Sequence, residues 1–502
     1  MKKRSLIYGL VATTLLSVGC SEDYLDPVRD TSLITTEDVA NNVNINPALV
    51  EGSINGIASL LIQPGGVTSA TGTRHYDLGQ KGVDIWLDLL SGDVALSANS
   101  YGWYQNTANL VSTVDFTREE NKIIWTYYYK VIALSNTVIN SFGGNDAEPT
   151  GEQARQLLGQ AKAYRAYAYF YLAQIFQRAY DPAQPILPYH DGVIDERAKV
   201  PASQIYDLIV RDLTHSISLL DDFVPSSKQQ INKHIAKGLL AYTHAAMGNY
   251  TDAKVMSDEI INSGAYPLTT TGQLAFPGTG SGFNNVNTPS WMWGYDITVD
   301  MGHQLINWWG QMDYYTYSYQ WAGDRKTIDT GLLALIPAND IRRTQFGTSG
   351  TPNRMPINKF FSPDRVVGGQ QIITTDYLFM RVDEFYLLSA EAAAKSGDEA
   401  TAKLRLKQLL ATRLTGGAAD ADALVDPLSG DALKETIYRQ TRIEFWGEGK
   451  SYLALKRNQA TVTRGTNHVF RANQSFLYDS DEMSFQIPQD EMNNNPLITG
   501  QN

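Results

Sequence analysis

The sequence predicts a mainly α-helical protein, a scaffold of tetratricopeptide-like helical repeats interrupted by two long irregular excursions. Apolar and small residues recur at three- and four-residue steps within about residues 46–62, 117–264 and 376–458. About residues 64–112 and 265–375, by contrast, are rich in Gly, Pro, Asn and Thr and lack a sustained helical period. We expect these excursions to form the ligand-binding site, because loops mounted on a rigid scaffold commonly do so.

Four helices are predicted from apolar spacing and from start signals. Residues 46–62 place apolar side chains at helical steps, and residues 117–142 open with Thr117 and two acids, which is typical of a helix N-terminus. Residues 152–177 carry one stripe of apolar and small residues at three- and four-residue steps. Residues 201–223 begin with a proline, which the first turn of a helix tolerates.

Two later segments share a helix–break–helix pattern. Residues 237–264 are interrupted at Gly248-Asn249, and residues 384–413 are interrupted at Gly397-Asp398. This pattern is typical of tetratricopeptide hairpins. Each hairpin exposes an apolar face when alone, so several of them must stack into a superhelical scaffold. We assign the scaffold and both excursions to one domain, residues 46–502.

The first 19 residues are typical of a bacterial lipoprotein signal peptide. Three positive charges in MKKR precede 15 uncharged residues, an apolar run too short to span a bilayer. The single cysteine, Cys20, follows small residues at the expected cleavage position. We therefore predict that Cys20 is acylated and that residues 20–45 form a membrane tether. An ordinary signal peptide with an incidental cysteine is the alternative.

The acidic composition of the chain argues against a nucleic-acid partner. The chain carries 53 acidic and 41 basic residues, a net charge of −12, and nucleic acid requires the opposite balance. One cysteine in 502 residues cannot form a disulfide within the chain, so the core alone must hold the fold. We predict no nucleic-acid partner.

Aromatic residues concentrate in residues 291–321, where ten of 31 are Trp or Tyr. Aromatic rings suit sugars, because C–H groups of a pyranose stack on the ring face while nearby polar groups bind the hydroxyls. We expect about two-thirds of these ten rings in the core and the remainder on a surface platform. The adjacent Trp308 and Trp309 are not expected both to face inward.

A second aromatic group lies in the first excursion, within NSYGWYQNT at residues 99–107. We expect it to form an opposite rim of the binding site. The residues predicted to contact the ligand are Tyr101, Trp103, Trp291, Trp308, Trp309, Tyr315 and Trp321.

No motif in the chain indicates catalysis. The seven histidines lack the spacing of a helical zinc site, and cysteine ligands are absent. Neither a Gly-x-Ser-x-Gly elbow nor a P-loop occurs, and GTGSG at residues 278–282 has no strand–helix context. We predict a binding protein without cofactor or metal. A pair of carboxylates that hydrolyses glycosides stays an open alternative.

The chain resembles the SusD/RagB family through motifs spread over most of its length. CSEDYLDP is similar to the start of the family's mature chains, and Arg165, Ala166 and Tyr169 resemble its Arg-Ala-x-x-Tyr helix. PILPY at residues 185–189 resembles its Ile-Pro-Leu segment. The remaining motifs lie in FMRVDEFYLLSAEAAAKSGD, IYRQTRIEFWGEGKSYLALKRN and the closing FQIPQDEMNNNPLITGQN.

Four positions depart from the family pattern: Gln440, Lys450, Ala454 and Asn458 stand where Glu, Arg, Asp and Trp are usual. They fall in one scaffold helix and do not affect the expected fold. The charged residues of these motifs are expected to brace helices as one structural network, formed by Arg381, Glu391, Arg442, Glu444 and Glu448.

The resemblance implies four tetratricopeptide-like units packed on a SusC-like TonB-dependent outer-membrane transporter, with a loop-built site on the outer side. It also implies a lipid-anchored protein of the outer membrane, exposed at the cell surface. Such a protein would capture oligosaccharides as a lid over the transporter, with peptide capture as the alternative. Two further classes stay open, a surface glycoside hydrolase and a purely structural lid that binds nothing alone.

Overall fold

The computed structural model describes residues 35–69, 72–278 and 282–502. The predicted signal peptide, Cys20, most of the tether and most of GTGSG lie outside the described residues. The helices are α1 Thr36–Asn42, α2 Ala48–Ile62, α3 Gln80–Ser91, α4 Gln105–Ala108, α5 Glu119–Ser141, α6 Glu152–Phe176, α7 Ala202–Leu219, α8 Lys233–Ala246, α9 Tyr250–Asn262, α10 Trp309–Met312, α11 Tyr319–Ala322, α12 Thr330–Ala334, α13 Asp383–Lys395, α14 Glu399–Leu410, α15 Ala418–Val425, α16 Gly430–Glu444, α17 Ser451–Arg457 and α18 Gln489–Asn494.

The strands are short and pair two by two, all antiparallel. They are β1 Val94–Leu96 with β5 Lys326–Ile328, β2 Pro185–His190 with β3 Asp195–Pro201, β4 Trp291–Tyr295 with β6 Tyr377–Arg381, and β7 Thr461–Thr463 with β8 Ser475–Leu477. None of the helices in the described ranges is both long and apolar enough to cross a membrane.

The predicted helical scaffold is confirmed. Helices α2, α5, α6 and α7 occupy the four predicted segments, and the pairs α8–α9 and α13–α14 form the two predicted hairpins. Helix α8 begins four residues earlier than expected, because the Asn232 side chain accepts hydrogen bonds from the amides of His234 and Ile235 and so caps it there. Each helix packs on the next in the order α2, α5, α6, α7, α8, α9, α13 and α14.

Helix α6 packs between α5 and α7 and is buried along most of its length. Its Arg165 donates to Asp212 of α7, with 2.7 Å between Nε and Oδ2, and Lys162 lies 3.1 Å from the same carboxylate. Burial alone would raise the pKa of Asp212, but these two cations outweigh it and hold the pKa below its usual value. The Arg-Ala-x-x-Tyr motif therefore joins two scaffold helices.

One expectation for the first excursion is wrong. Residues 80–91 form α3, a regular 12-residue helix buried throughout, instead of an irregular segment. Its lysine and two aspartates are buried as completely as its apolar residues. Its polar residues Lys81, Asp84 and Asp88 recur at three- and four-residue steps, so a helical period is present, but it extends over only 12 residues within a segment that is otherwise rich in turn residues.

A buried cluster of eight charges, the ion cluster, joins the second excursion to the repeat helices. Glu444, at the end of α16, accepts hydrogen bonds from Arg342, Arg381 and Arg413. Arg381 also donates to Glu448, with 2.9 Å between Nε and Oε2. The side chains are at most 6 % exposed, and their charges balance: Arg342, Lys359, Arg381 and Arg413 against Asp340, Asp383, Glu444 and Glu448.

The expectation of one network is correct only in part. Glu391 pairs with Arg457, and Arg442 pairs with Asp93, so these two residues belong to separate buried contacts. Gln440, which stands where glutamate is usual, accepts a hydrogen bond from Arg342 and thereby extends the ion cluster. The departure from the family pattern thus keeps an acceptor at this position without adding a ninth charge.

Replacing Glu444 by Gln tests the ion cluster. Burial would raise the pKa of Glu444, but the surrounding arginines hold it well below its usual value, so the wild-type group is ionised. Removing its charge leaves surplus buried positive charge, and we expect the free energy of unfolding to fall by about 3–5 kcal/mol in urea denaturation.

Asp431→Asn provides the matched control, because Asp431 forms an exposed ion pair with Lys434 on the same helix. Its effect should stay below about 1 kcal/mol. Equal urea midpoints for the two variants would contradict a structural role for the cluster.

Candidate ligand-binding surface

Four of the seven predicted contact residues lie in the core. Trp291, Trp308, Trp309 and Tyr315 are 0, 2, 0 and 8 % exposed, respectively. The expectation that Trp308 and Trp309 cannot both face inward is wrong. Their rings meet edge to face with 5.0 Å between centroids, and Phe360 packs against both, because this segment has protein on every side. These four rings therefore offer no surface to a ligand.

The three other predicted residues reach the solvent. Tyr101 is 62 % exposed, Trp321 is 37 % exposed and Trp103 is half-buried. Tyr101 and Trp103 pack with His75 and Tyr319, and Trp321 packs with Tyr317. We call these two neighbouring groups the aromatic surface: His75, Tyr101, Trp103, Tyr317, Tyr319 and Trp321.

Both excursions contribute rings to the aromatic surface. Tyr319 contacts His75, Tyr101 and Trp103, with ring centroids 4.6, 5.2 and 5.7 Å apart. Tyr317 and Trp321, each two residues from Tyr319 in the sequence, pack together with 5.2 Å between their ring centroids. Tyr101 and Trp103 therefore lie beside the second excursion and do not form an opposite rim.

The segment that carries these rings reverses the usual pattern of burial. Tyr317 and Trp321 are exposed and Tyr319 is half-buried, whereas the polar residues that alternate with them are buried: Thr316, Ser318 and Gln320. Each buried polar side chain is hydrogen-bonded, Thr316 to Asp313, Ser318 to the carbonyl of Leu305, and Gln320 to the backbone of Lys326. The hydrogen-bonded polar side chains therefore point into the protein, and the aromatic side chains between them point towards the surface. This alternation of polar and aromatic residues is a sequence signal that indicates Tyr317 and Tyr319.

Asp324 fixes the first excursion against the second. Its buried carboxylate accepts hydrogen bonds from the amides of Tyr101 and Trp103, at 2.7 and 3.0 Å. The neighbouring Gly323 has a φ of +135°, and a Cβ there would lie 2.3 Å from the Ser100 hydroxyl. A residue without a side chain is required for the two segments to approach this closely.

A second glycine supports the exposed tryptophan. Gly368 lies under the ring of Trp321, where a Cβ would come within 2.9 Å of Cε2. Its φ of +62° also places it in the left-handed region that favours glycine. The ring of Trp321 therefore rests directly on backbone.

His75 is the polar member of the aromatic surface. Burial lowers its pKa to about 4, so the ring is neutral at physiological pH. Its Nε2 lies 3.3 Å from the Tyr319 hydroxyl, and its Nδ1 has no hydrogen-bond partner within the described residues. A neutral imidazole can accept or donate a hydrogen bond to a hydroxyl group.

The surface suits binding by ring stacking and hydrogen bonding. The one carboxylate nearest to it, Asp324, is occupied by two backbone amides. Across the described ranges, no group of three or more His, Cys, Asp or Glu side chains is arranged to hold a metal ion. Exposed rings beside hydroxyl, imidazole and amide groups match the alternating C–H and hydroxyl surface of a sugar.

Two family models match the chain. One, described as "Starch-binding associating with outer membrane", matches residues 82–243, and the SusD family model matches residues 311–502. All members of the aromatic surface except His75 fall within these matches. None of the curated protein sequences compared with the chain matches it.

Solved structures share the fold over most of its length. A SusD-like carbohydrate binding protein from Bacteroides vulgatus ATCC 8482 is 22 % identical with a TM-score of 0.72, covering 90 % of this chain and 97 % of that one. A SusD superfamily protein from Bacteroides fragilis is 24 % identical with a TM-score of 0.70, covering 90 % and 99 %. Another from Bacteroides thetaiotaomicron VPI-5482 is 20 % identical with a TM-score of 0.72, covering 91 % and 99 %.

The neutrality of His75 can be measured by an NMR pH titration. With ¹³C-labelled histidine, the His75 resonance, assigned from its loss in His75→Gln, should titrate near pH 4. The unfolded chain takes up this proton near pH 6.5, so the contribution of His75 to the free energy of unfolding falls as the pH drops from about 6.5 towards 4. A midpoint at or above 6.5 would contradict the buried position of the ring.

Proposed function

The chain belongs to the SusD/RagB family, and from this premise we propose that it captures oligosaccharides at the aromatic surface and delivers them to an outer-membrane transporter. Members of this family are binding proteins associated with the outer membrane, and the proposed activity involves no bond cleavage. The observation that carries the proposal is the reversed burial of residues 316–321, in which Tyr317 and Trp321 are exposed and Tyr319 is half-buried while the polar residues between them are buried and hydrogen-bonded.

The proposed ligand follows from the chemistry of the surface. Exposed aromatic rings are costly in water, and they stack on the C–H face of a pyranose without requiring a particular linkage. One matching family model is described as starch-binding, and one similar structure is named as a carbohydrate binding protein. Both descriptions support a glycan as the ligand of this chain.

The proposed mechanism is capture by a lid. The acylated Cys20 would anchor the chain, and the tether that follows would let the folded body swing over the mouth of a SusC-like TonB-dependent transporter. A glycan that contacts both proteins favours the closed state by its higher affinity for that state. Because the aromatic surface is shallow, we expect the isolated protein to bind glycans with micromolar to millimolar dissociation constants, on the order of −8 to −4 kcal/mol.

Calorimetry with a panel of oligosaccharides and short peptides tests the ligand class. Trp321→Ala and Tyr101→Ala should each weaken binding of the best glycan about tenfold, because each removes a stacking face. Tyr180→Ala is the control, since this partly exposed ring packs on Tyr206, away from the aromatic surface. It should leave the affinity unchanged.

The same titrations separate the competing functions. Heat from peptides alone, or glycan binding that survives both Trp321→Ala and Tyr101→Ala, would contradict the proposal. Product analysis of each mixture adds an independent criterion, because newly formed reducing ends would identify an enzyme.

Gly368→Ala tests whether the ring position itself matters. The added methyl group would push the Trp321 ring and strain the backbone at a positive φ. We expect glycan affinity to fall about as far as in Trp321→Ala, although every aromatic side chain remains. Gly264→Ala is the control, because it also has a positive φ but a Cβ there meets nothing within 4 Å. Equal affinities for the two variants would contradict the supporting role of Gly368.

A further inference from the structure

A polar groove of about 350 Å³ lies at the end of the β1–β5 ladder, and we propose that it binds an anionic substituent, a carboxylate or a sulfate, of the captured glycan. The inference rests on the proposed function and names its substrate class, namely acidic oligosaccharides. Two arginines line the groove, Arg325 and Arg354.

The lining of the groove favours anions. Hydroxyl and amide groups accompany the two guanidinium groups, and no aspartate or glutamate is among the lining residues. The other polar residues that line the groove include Ser97, Asn353, Asn467 and His468, and His468 contacts the carboxylate of Asp329 behind it. A chain with a net charge of −12 thus presents a locally cationic site.

Neither arginine is neutralised by the protein. Within the described ranges, no carboxylate oxygen lies within 4.0 Å of either guanidinium group, in contrast to Arg342, Arg381 and Arg413 of the ion cluster. The Nε of Arg325 is buried and has no hydrogen-bond partner among the described residues. A guanidinium group that lacks a carboxylate partner keeps its charge uncompensated, and an anionic ligand in the groove would compensate it.

The backbone of Arg354 is held in an uncommon conformation. Its φ is +64°, in the left-handed region that non-glycine residues seldom occupy. Two hydrogen bonds fix it there, from its own amide to the carbonyl of Gly347 and from the amide of Ile328 to its carbonyl, at 2.7 and 3.0 Å. Backbone strain of this kind is maintained by the surrounding structure and is concentrated at functional sites.

The groove and the aromatic surface lie along the same pair of chain segments. Ser97 and Arg325 extend the β1–β5 ladder, with 2.8 Å between the Ser97 amide and the Arg325 carbonyl. Four residues further along, the amide of Tyr101 binds Asp324. Four residues of extended chain span at most about 13 Å, so one short oligosaccharide can reach from the rings to the arginines.

Guanidinium groups recognise the proposed ligand groups directly. Arginine presents several N–H donors in a planar fork that matches the two oxygens of a carboxylate or a sulfate-like group. Rings stacking on the sugar and arginines binding its charged substituent would together select acidic glycans over neutral ones of the same length. The two arginines therefore determine specificity, while the rings supply affinity common to both kinds of glycan.

Calorimetry with matched pairs of oligosaccharides tests this inference on the purified protein. The first pair is a galacturonate trisaccharide and its methyl ester, and the second is a sulfated and an unsulfated galactose trisaccharide. The charged member of at least one pair should bind about tenfold more tightly at 50 mM NaCl, with a smaller preference at higher salt. Which pair responds identifies the carboxylate or the sulfate as the ligand group.

The double variant Arg325→Gln/Arg354→Gln should lose this preference and keep the wild-type affinity for the neutral trisaccharides, which also reports that it is folded. Arg197→Gln, at an exposed arginine outside the groove, should keep the preference. If the double variant fails to bind neutral sugars, Arg325→Gln and Arg354→Gln are tested separately. At least one of them should lose the preference for the charged trisaccharide and keep the wild-type affinity for the neutral one.

Equal affinities within both pairs, or a preference that survives the double variant, would overturn the inference. In that case neutral binding that is weakened by Trp321→Ala still supports the proposed function. If no trisaccharide binds and the wider glycan panel is silent as well, the proposed function and this inference both fail.

Discussion

The three arginines that converge on Glu444 are the contact on which the rest of the structure depends. They come from the 3₁₀ helix Ile341–Gln345, from the end of β6 and from the end of the α13–α14 hairpin, so one carboxylate joins the second excursion to the scaffold. Burying eight charges is costly, and their balance and hydrogen bonding offset that cost. Such a cluster tolerates few arrangements, and it therefore fixes where β6 and its partner β4 lie in the core.

Short backbone segments connect the ion cluster to the aromatic surface and position its rings. Strand β5 pairs with β1, and the Lys326 amide binds Gln320, whose burial turns the neighbouring rings outward. Asp324 then holds the loop of Tyr101 against the same segment. The aromatic surface and the arginine groove both lie along the contact between the two excursions, residues 466–469 complete the groove, and neither excursion contains a complete site.

The sequence was sufficient for the scaffold because amphipathic helices have a period, and the predicted segments and hairpins are confirmed. The short period of α3, carried by Lys81, Asp84 and Asp88, did not stand out within a segment rich in turn residues. Composition alone suggested a surface platform for the tryptophans at 291, 308 and 309, which are buried. The alternation of Tyr317, Tyr319 and Trp321 with polar residues is visible in the sequence and would have indicated that these rings face the surface. His75 left no local signal, because only tertiary packing brings it to Tyr319.

The pairing of β1 with β5 has a consequence for the order in which the protein folds. Ala95 and Thr327 are partners in this ladder although they lie 232 residues apart in the chain, whereas each helical hairpin closes over a few dozen residues. Contacts of such high contact order form slowly, since the entropy of closing the loop is lost before the contact is gained. The hairpins are therefore expected to assemble first and the contact between the excursions last, so that a partly folded chain has a scaffold before it has any affinity for a ligand.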